Sequence, residues 1–291
     1  MTSPQAPFDN RQYWESRLRG HFSLAGVGYL RLGRRYNEWM YRVRGEVFDR
    51  VVAGLEPRQQ STFNGQQAAP GRIESLSSWA GRDVLDVGSG TGFYVDRWLR
   101  LGARVTGLDL TEIAVVELLR TFPAARFLRA DIGASLNGIP LAPGSFDAVS
   151  AFDVLFHIVD DAQYARAFEN IAALLRPGGW FLWSDNFLRH KAERVAHQAS
   201  RPLAESARLV EMAGFEIVAR RPMFVLMNYP ADTTSRLLRW GWTAMVAPAV
   251  LGEPLGWALG AMLYPVERAL VRRRRESPST ELMVCRKTQA R

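Results

Sequence analysis

The stretch VLDVGSGTGFY, residues 84–94, sets three glycines at every second position directly behind an apolar run that carries an acid. Such a run breaking into glycine reads as a strand, a tight turn and the start of a helix. A turn of this kind lets a bound group approach backbone amides at the helix N-terminus, because no Cβ stands in the way. Two common nucleotide signatures fail here. The dinucleotide fingerprint needs a glycine at position 93, where Phe93 stands and the glycine comes one residue early at Gly92. No Lys-Ser/Thr pair comes after it, so a phosphate loop of the NTPase type is missing too.

Outward from this turn, short apolar runs alternate with longer segments of helical period, the pattern of a parallel sheet covered by helices. Strands are expected at 83–87, 104–110, 126–131, 146–153 and 180–185. Val95, Trp98 and Leu99 share one helix face, and Tyr164, Phe168, Ile171 and Leu175 share another, with Asp161 expected as N-cap and RPGGW as the stop. Upstream, Tyr36, Met40, Val43, Val47 and Val51 fall at helical spacing, so 36–52 is expected as an amphipathic helix, with a polar linker after it over 54–72. Downstream, RPLAESARLVEMAGFEIVARRPMFVL reads as a helix and a strand, and 280–287 as a last strand.

Together with the segments downstream of it, the glycine stretch resembles the first motif of the class I S-adenosylmethionine-dependent methyltransferases, over roughly residues 80–220. The resemblance implies an α/β fold: a Rossmann-like, seven-stranded, mostly parallel sheet with helices on both faces. To this are added an N-terminal helical cover and a helical insertion before the last strand. It divides the chain into a cover and linker (1–75), a cofactor-binding core (76–229), a hydrophobic insertion (230–278) and a last core strand with tail (279–291). It also implies S-adenosylmethionine as cofactor. Asp86, Gly88, Ser89, Gly90, Gly92 and Tyr94 belong to the first motif; Asp109, 21 residues after Gly88, with Leu110, matches the ribose acid; Asp131 and Ile132 match the adenine pair. Elementary chemistry agrees. Carboxylates closing successive strands line one crevice at the carboxyl edge of such a sheet, and a sulfonium favours an acidic, aromatic neighbourhood that Asp86, Asp153 and Tyr94 supply.

Methyl transfer is an in-line displacement at carbon, so the protein mainly aligns the reactants and, for a hydroxyl acceptor, removes a proton. His157, after the fourth strand, is the candidate base, because imidazole titrates near neutrality; a structural role for it stays open. Acceptor contacts are expected from Tyr13, Tyr36, Asn186 and Arg201. The expected activity is O-methylation of a small or lipid-like molecule. One alternative is a catechol-type O-methyltransferase with magnesium on Asp153, Asp185 and Asn186, although no metal ligand is assigned; another is a protein that binds S-adenosylmethionine without transferring methyl.

The net charge of +8 suits an anionic partner, yet the arginines cluster near the two ends and no nucleic-acid signature accompanies them, which argues against nucleic acid. A single cysteine, Cys285, excludes an internal disulfide framework, and the polar start lacks the order of a secretory signal, so a cytoplasmic home, with or without membrane association, is the expectation. The apolar stretches of 230–278 are cut by Pro248, Glu253–Pro254 and Pro265, short of the ~20 residues of a spanning helix. Three roles remain for them: a lid over the acceptor, an interfacial contact with a membrane, or a homodimer contact.

Overall fold

In a computed structural model describing residues 8–55 and 78–289, every apolar run expected in the core is a strand. The strands β1 (Asp83–Val87), β2 (Arg104–Asp109), β3 (Arg126–Arg129), β4 (Phe146–Phe152) and β5 (Leu175–Asp185) pair in parallel. Two later strands, β8 (Phe215–Pro222) and β9 (Glu281–Lys287), complete a seven-stranded sheet of order β3-β2-β1-β4-β5-β9-β8, in which β9 runs antiparallel to both neighbours. The strand order reverses between β1 and β4, and ligands bind at such a reversal, outside the carboxyl ends of the strands. A short hairpin, β6 (Glu193–Val195) with β7 (Gln198–Ser200), hangs outside the sheet.

Helices cover both faces. On one, α5 (Asp161–Leu174) and α6 (Leu203–Met212) bury Tyr164, Phe168, Ile171 and Val210 against Leu85, Val149, Phe181 and Met283. On the other lies a second cluster, fed by α3 (Phe93–Arg100), α4 (Glu112–Thr121) and the N-terminal helices α1 (Asn10–Gly20) and α2 (Gly33–Val52). Of the expected α2 face, Tyr36, Met40, Val43 and Val47 are buried as a stripe, because apolar residues three and four apart share one side of a helix, while Val51 is half-buried and its neighbour Val52 takes the buried place. The cap of α5 differs from the sequence reading. Asp160, not Asp161, accepts the amide of Gln163, because Asp160 has the extended backbone that an N-cap needs. Asp161 instead pairs with Arg194 and Arg201. Apart from Gly54 and Leu55, the linker read over 54–72 falls outside the described residues.

The insertion folds as a helical hairpin, α7 (Arg236–Val250) and α8 (Glu253–Arg273), packed on α2. Gly260 lets it come close, since a Cβ there would lie 2.3 Å from the Trp39 ring. Two acids then fasten it to backbone. Glu253 accepts the amides of Arg34 and Arg35 at the start of α2, where unpaired N–H groups attract a carboxylate. Glu267, fully buried, accepts the amides of Val225, Leu226 and Met227. The first helix is tied down similarly: the Glu15 carboxylate accepts the amides of Glu112 and Ile113 at the start of α4. Cover and insertion thus share one cluster with the core. Among the described residues no helix is long and apolar enough to cross a membrane.

Candidate active site

The glycine turn needs its glycines for backbone reasons first. Gly88, Gly90 and Gly92 take φ of +68°, +52° and +83°, a left-handed region costly to any residue with a Cβ. A Cβ on Gly88 would also fall 2.3 Å from Val154 and one on Gly92 2.3 Å from Phe122. The turn ends with Gly92 as N-cap of α3, so amides of the first turn face the crevice.

A cavity of about 180 Å³ opens over this turn, lined by Gly88 and Ser89, Tyr94, Asp109 with Leu110, and Asp131 with Ile132. Its carboxylates are held by the strand ends that carry them. Asp109 accepts from the Gly90 amide at 2.8 Å and from the amide and hydroxyl of Thr111 at 2.9 and 2.7 Å, while burial raises its pKa. Asp131 accepts the Gly133 amide at 2.8 Å. Three buried polar atoms in this lining have no partner among the described residues: Thr91 Oγ1, Tyr94 OH and Asn10 Oδ1. Unpaired buried groups are costly, and here they sit beside a cavity flanked by acids, which suits a polar, cationic ligand such as S-adenosylmethionine. Asp86, Gly90 and Gly92 stand behind this lining as its frame. Asp86, pushed up to about 7 by burial, accepts from Ser150 at 2.6 Å, and Ser150 in turn accepts from the Trp98 indole.

A second cavity of about 550 Å³ adjoins the first, and Trp14, Val27, Asp153 and His157 line both. Asp153 has φ of +58°, unusual for a residue with a side chain. Two partners hold it there. Arg44 of α2 places Nη2 at 2.5 Å and Nε at 2.9 Å from Oδ2, while the Ser184 hydroxyl donates to Oδ1 and accepts the Asp153 amide. His157 is oriented by an Nδ1–H donated to the His197 carbonyl at 2.8 Å, leaving Nε2 as the acceptor nitrogen, with no hydrogen-bond partner among the described residues. Burial lowers its pKa to about 4, so the ring is neutral near pH 7. Trp14 meets it edge-on at 4.8 Å, and His197 stacks on Tyr13 at 5.0 Å.

The larger cavity has an aromatic wall of Tyr13, Trp14, Tyr29, Tyr229 and Trp242. Its floor is a polar chain: Asn228 donates to Thr280, Thr280 to Asn186, and Asn186 and Gln198 to Ser200. Tyr13 and Asn186 therefore reach the cavity expected of them, whereas two other candidates do not. Tyr36 is fully buried between α2 and the insertion, donating to the Met227 carbonyl. Arg201, 1% exposed, lies 3.7 Å from the Tyr164 ring centroid and pairs with Asp161. Both are packing and anchoring residues. The three oxygen ligands of the magnesium alternative do not converge either, for Asp153 is engaged by Arg44 and the buried carboxyl of Asp185, raised to about 8, faces neither cavity.

Several site residues escape the sequence. Arg44 lies 109 positions from its partner, and His197, Asn228, Thr280 and Trp242 arrive on the hairpin β6–β7, the segments around the insertion and the last strand. No local pattern marks them. Thr91 could have been found as the one side chain inside the glycine turn able to donate a hydrogen bond into the crevice beside Ser89.

Comparison with known proteins agrees with this geometry. A family described as a methyltransferase domain matches residues 84–179. The ubiquinone biosynthesis O-methyltransferase of Albidiferax ferrireducens is 40% identical over 114 residues, 38% of this chain and 44% of the relative. A Mycolicibacterium smegmatis protein named a probable S-adenosylmethionine-dependent methyltransferase is 37% identical over 145 residues, 47% of this chain and 53% of that one. The chain thus spans about half the length of the curated relatives it matches. The crystal structure of Burkholderia thailandensis 1,6-didemethyltoxoflavin-N1-methyltransferase, with 1,6-didemethyltoxoflavin and S-adenosylhomocysteine bound, shares the fold at a TM-score of 0.52 and 18% identity, covering 99% of this chain and 94% of that one. On the glycine turn, the strand-end acids beside it and the matched segment, residues 84–179 of this chain form a methyltransferase domain similar to those of S-adenosylmethionine-dependent relatives.

Proposed function

We propose that the protein transfers the methyl group of S-adenosylmethionine to a hydroxyl of a small aromatic or lipid-like molecule seated in the larger cavity. The observation that carries this reading is the junction of the two cavities at Trp14, Val27, Asp153 and His157, where a methyl donor in one would face an acceptor in the other. The cofactor supplies an electrophilic methyl on a sulfonium. Asp109 and Asp131 would hold its sugar and base, Thr91 and Tyr94 its remaining polar atoms. Asp153 and the aromatic walls would keep water out of the junction while favouring positive charge.

The chemistry of His157 selects the acceptor. Its Nε2 is unprotonated near pH 7 and free to accept a proton, but a group held near 4 is a weak base. Such a base matches a phenol, with a pKa of about 10, better than an aliphatic alcohol. The aromatic wall and the polar floor ending in Asn186 and Ser200 suit a ring bearing several oxygens, and the O-methyltransferase name of the relatives supports oxygen as the acceptor.

Calorimetry with S-adenosylmethionine and S-adenosylhomocysteine tests the cofactor half. The Asp109→Ala variant should bind about tenfold or more weakly, for loss of one to two charge-assisted hydrogen bonds; unchanged affinity would sink the assignment. Transfer of labelled methyl to a panel of phenols and catechols tests the acceptor half. Donor binding with no transfer to any oxygen acceptor, in the panel or in cell extract, would favour a protein that holds the cofactor without using it.

A further inference from the structure

The face of the insertion turned away from the core is apolar where it meets water. On α7, Leu237, Trp240, Ala244, Ala247 and Leu251 recur at three- and four-residue spacing, and Leu237, Trp240 and Leu251 are 75%, 69% and 78% exposed. On α8, Leu255, Ala258, Met262 and Val266 do the same beside Trp257, with Met262 64% exposed. A helix packed on a core normally turns polar residues outward, and contiguous apolar surface marks an interaction site. The opposite stripe of α8, Gly256, Leu259, Gly260, Leu263 and Glu267, is the one buried against the core.

Charge identifies what this face meets. Between Arg236 and Arg275 the chain carries seven arginines and two acids, and both acids are committed to backbone amides, Glu253 on α2 and Glu267 on the loop after β8. Arg236, Arg273, Arg274 and Arg275 have no acidic partner among the described residues. They stand at the ends of the hairpin remote from its turn, whereas Leu251 and Leu255 stand at the turn. Leu251, Leu255 and Trp257 stand near the tip, while Leu237 and Trp240 stand near the base beside Arg236, so the apolar face runs the length of the hairpin and carries these arginines at one end. With both acids of the segment already committed to backbone, the same face of a second copy offers these arginines no counter-charge, while a lipid surface offers hydrocarbon to the apolar side chains, an interface to the tryptophans and anionic headgroups to the arginines.

We propose that the outer face of α7 and α8 docks on an anionic lipid bilayer, lying in its surface without crossing it. The proposal stands apart from the methyl-transfer reading, because it concerns only the outer face of the hairpin. The two join in one consequence: Trp242 of α7 walls the larger cavity, so a docked hairpin brings that cavity beside the bilayer.

The test is co-sedimentation of the full chain with vesicles of phosphatidylcholine alone and of phosphatidylcholine with phosphatidylglycerol, at low and physiological salt. Retention is expected on the anionic vesicles, falling as salt rises. The Trp240→Glu/Trp257→Glu variant, altered only at exposed positions, should bind at least about tenfold more weakly with an unchanged melting curve, since interfacial binding scales with the apolar area inserted. The Arg273→Gln/Arg274→Gln/Arg275→Gln variant should lose most of the salt dependence. The proposal is overturned if the folded wild type stays in solution with anionic vesicles at low salt, or if both variants bind as the wild type does. It is also overturned if sedimentation velocity shows a dimer that Trp240→Glu/Trp257→Glu dissolves, for a second copy then covers the face.

Discussion

Removing the Arg44 guanidinium tests whether the N-terminal cover is part of the site or merely lies over it. Arg44 and Asp153 are 9% and 18% exposed and joined through Oδ2 at 2.5 and 2.9 Å. At a charge separation of about 4 Å and an effective dielectric of about 20, their attraction is about 4 kcal/mol. Arg44→Met keeps an apolar stem but removes the guanidinium that lies over the Tyr41 and Phe224 rings and leaves a carboxylate in a buried site, for an expected loss of about 3–5 kcal/mol. Asp153→Asn, chosen because asparagine tolerates the φ of +58°, leaves the arginine unpaired instead and should cost a similar amount. The double variant has no orphaned charge, so it should be much less destabilised than the sum, with a coupling of about 2 kcal/mol or more. Urea denaturation of the four proteins measures all of this. If the two single losses add to within about 0.5 kcal/mol, the pair is not coupled and Arg44 does not hold Asp153 in place.

Other outcomes rest on the same geometry. Gly88→Ala combines left-handed strain of about 1–2 kcal/mol with overpacking against Val154 of about 1–3 kcal/mol, so scanning calorimetry should show a clearly lowered melting temperature; an unchanged melt refutes the tight turn. His157, held near 4 while an exposed histidine titrates near 6.5, gives a pH dependence whose sign is fixed. The unfolded chain takes up a proton that the folded chain refuses, so the stability from this group is complete above about 6.5 and declines as pH falls toward 4, by at most about 3 kcal/mol. His157→Gln should flatten that part of the stability profile, and a wild-type profile already flat between 6.5 and 4 would show that the ring is not buried neutral. For the same reason, methyl transfer should show no acid limb near pH 6.5 attributable to this residue, which a pH–rate profile would reveal.

Much of the core is legible in the sequence because its determinants are local. The alternation of apolar runs with helical periods yields β1 to β4 at nearly the expected bounds, whereas β5 starts at Leu175, so that Leu175 and RPGGW, read as helix face and helix stop, lie in the strand; the motifs at Gly88, Asp109 and Asp131 lie in one cavity as the resemblance implies. The misreadings concern residues whose type fits two roles. Arg201 and Tyr36 both read as acceptor contacts, yet Arg201 is a buried tie between Tyr164 and Asp161 and Tyr36 is part of the packing seam between α2 and the insertion. An arginine or tyrosine carries no sequence mark that tells a cavity from an interior. Asp161 for Asp160 is a one-residue error in an element boundary, where two adjacent acids compete for one cap.

By itself, then, the sequence determined the sheet, the glycine turn and the acids that close its strands, because these rest on hydropathy period, backbone freedom at glycine and the position of a residue at a strand end. Tertiary structure alone decided the reacting junction. Arg44 reaches Asp153 across 109 residues, the His197 carbonyl chooses which nitrogen of His157 accepts, and Thr280 and Asn228 join Asn186 from the far end of the chain. Each of these pairings depends on burial and on distances set by packing between elements remote in sequence, and neither quantity is a property of any short stretch of residues.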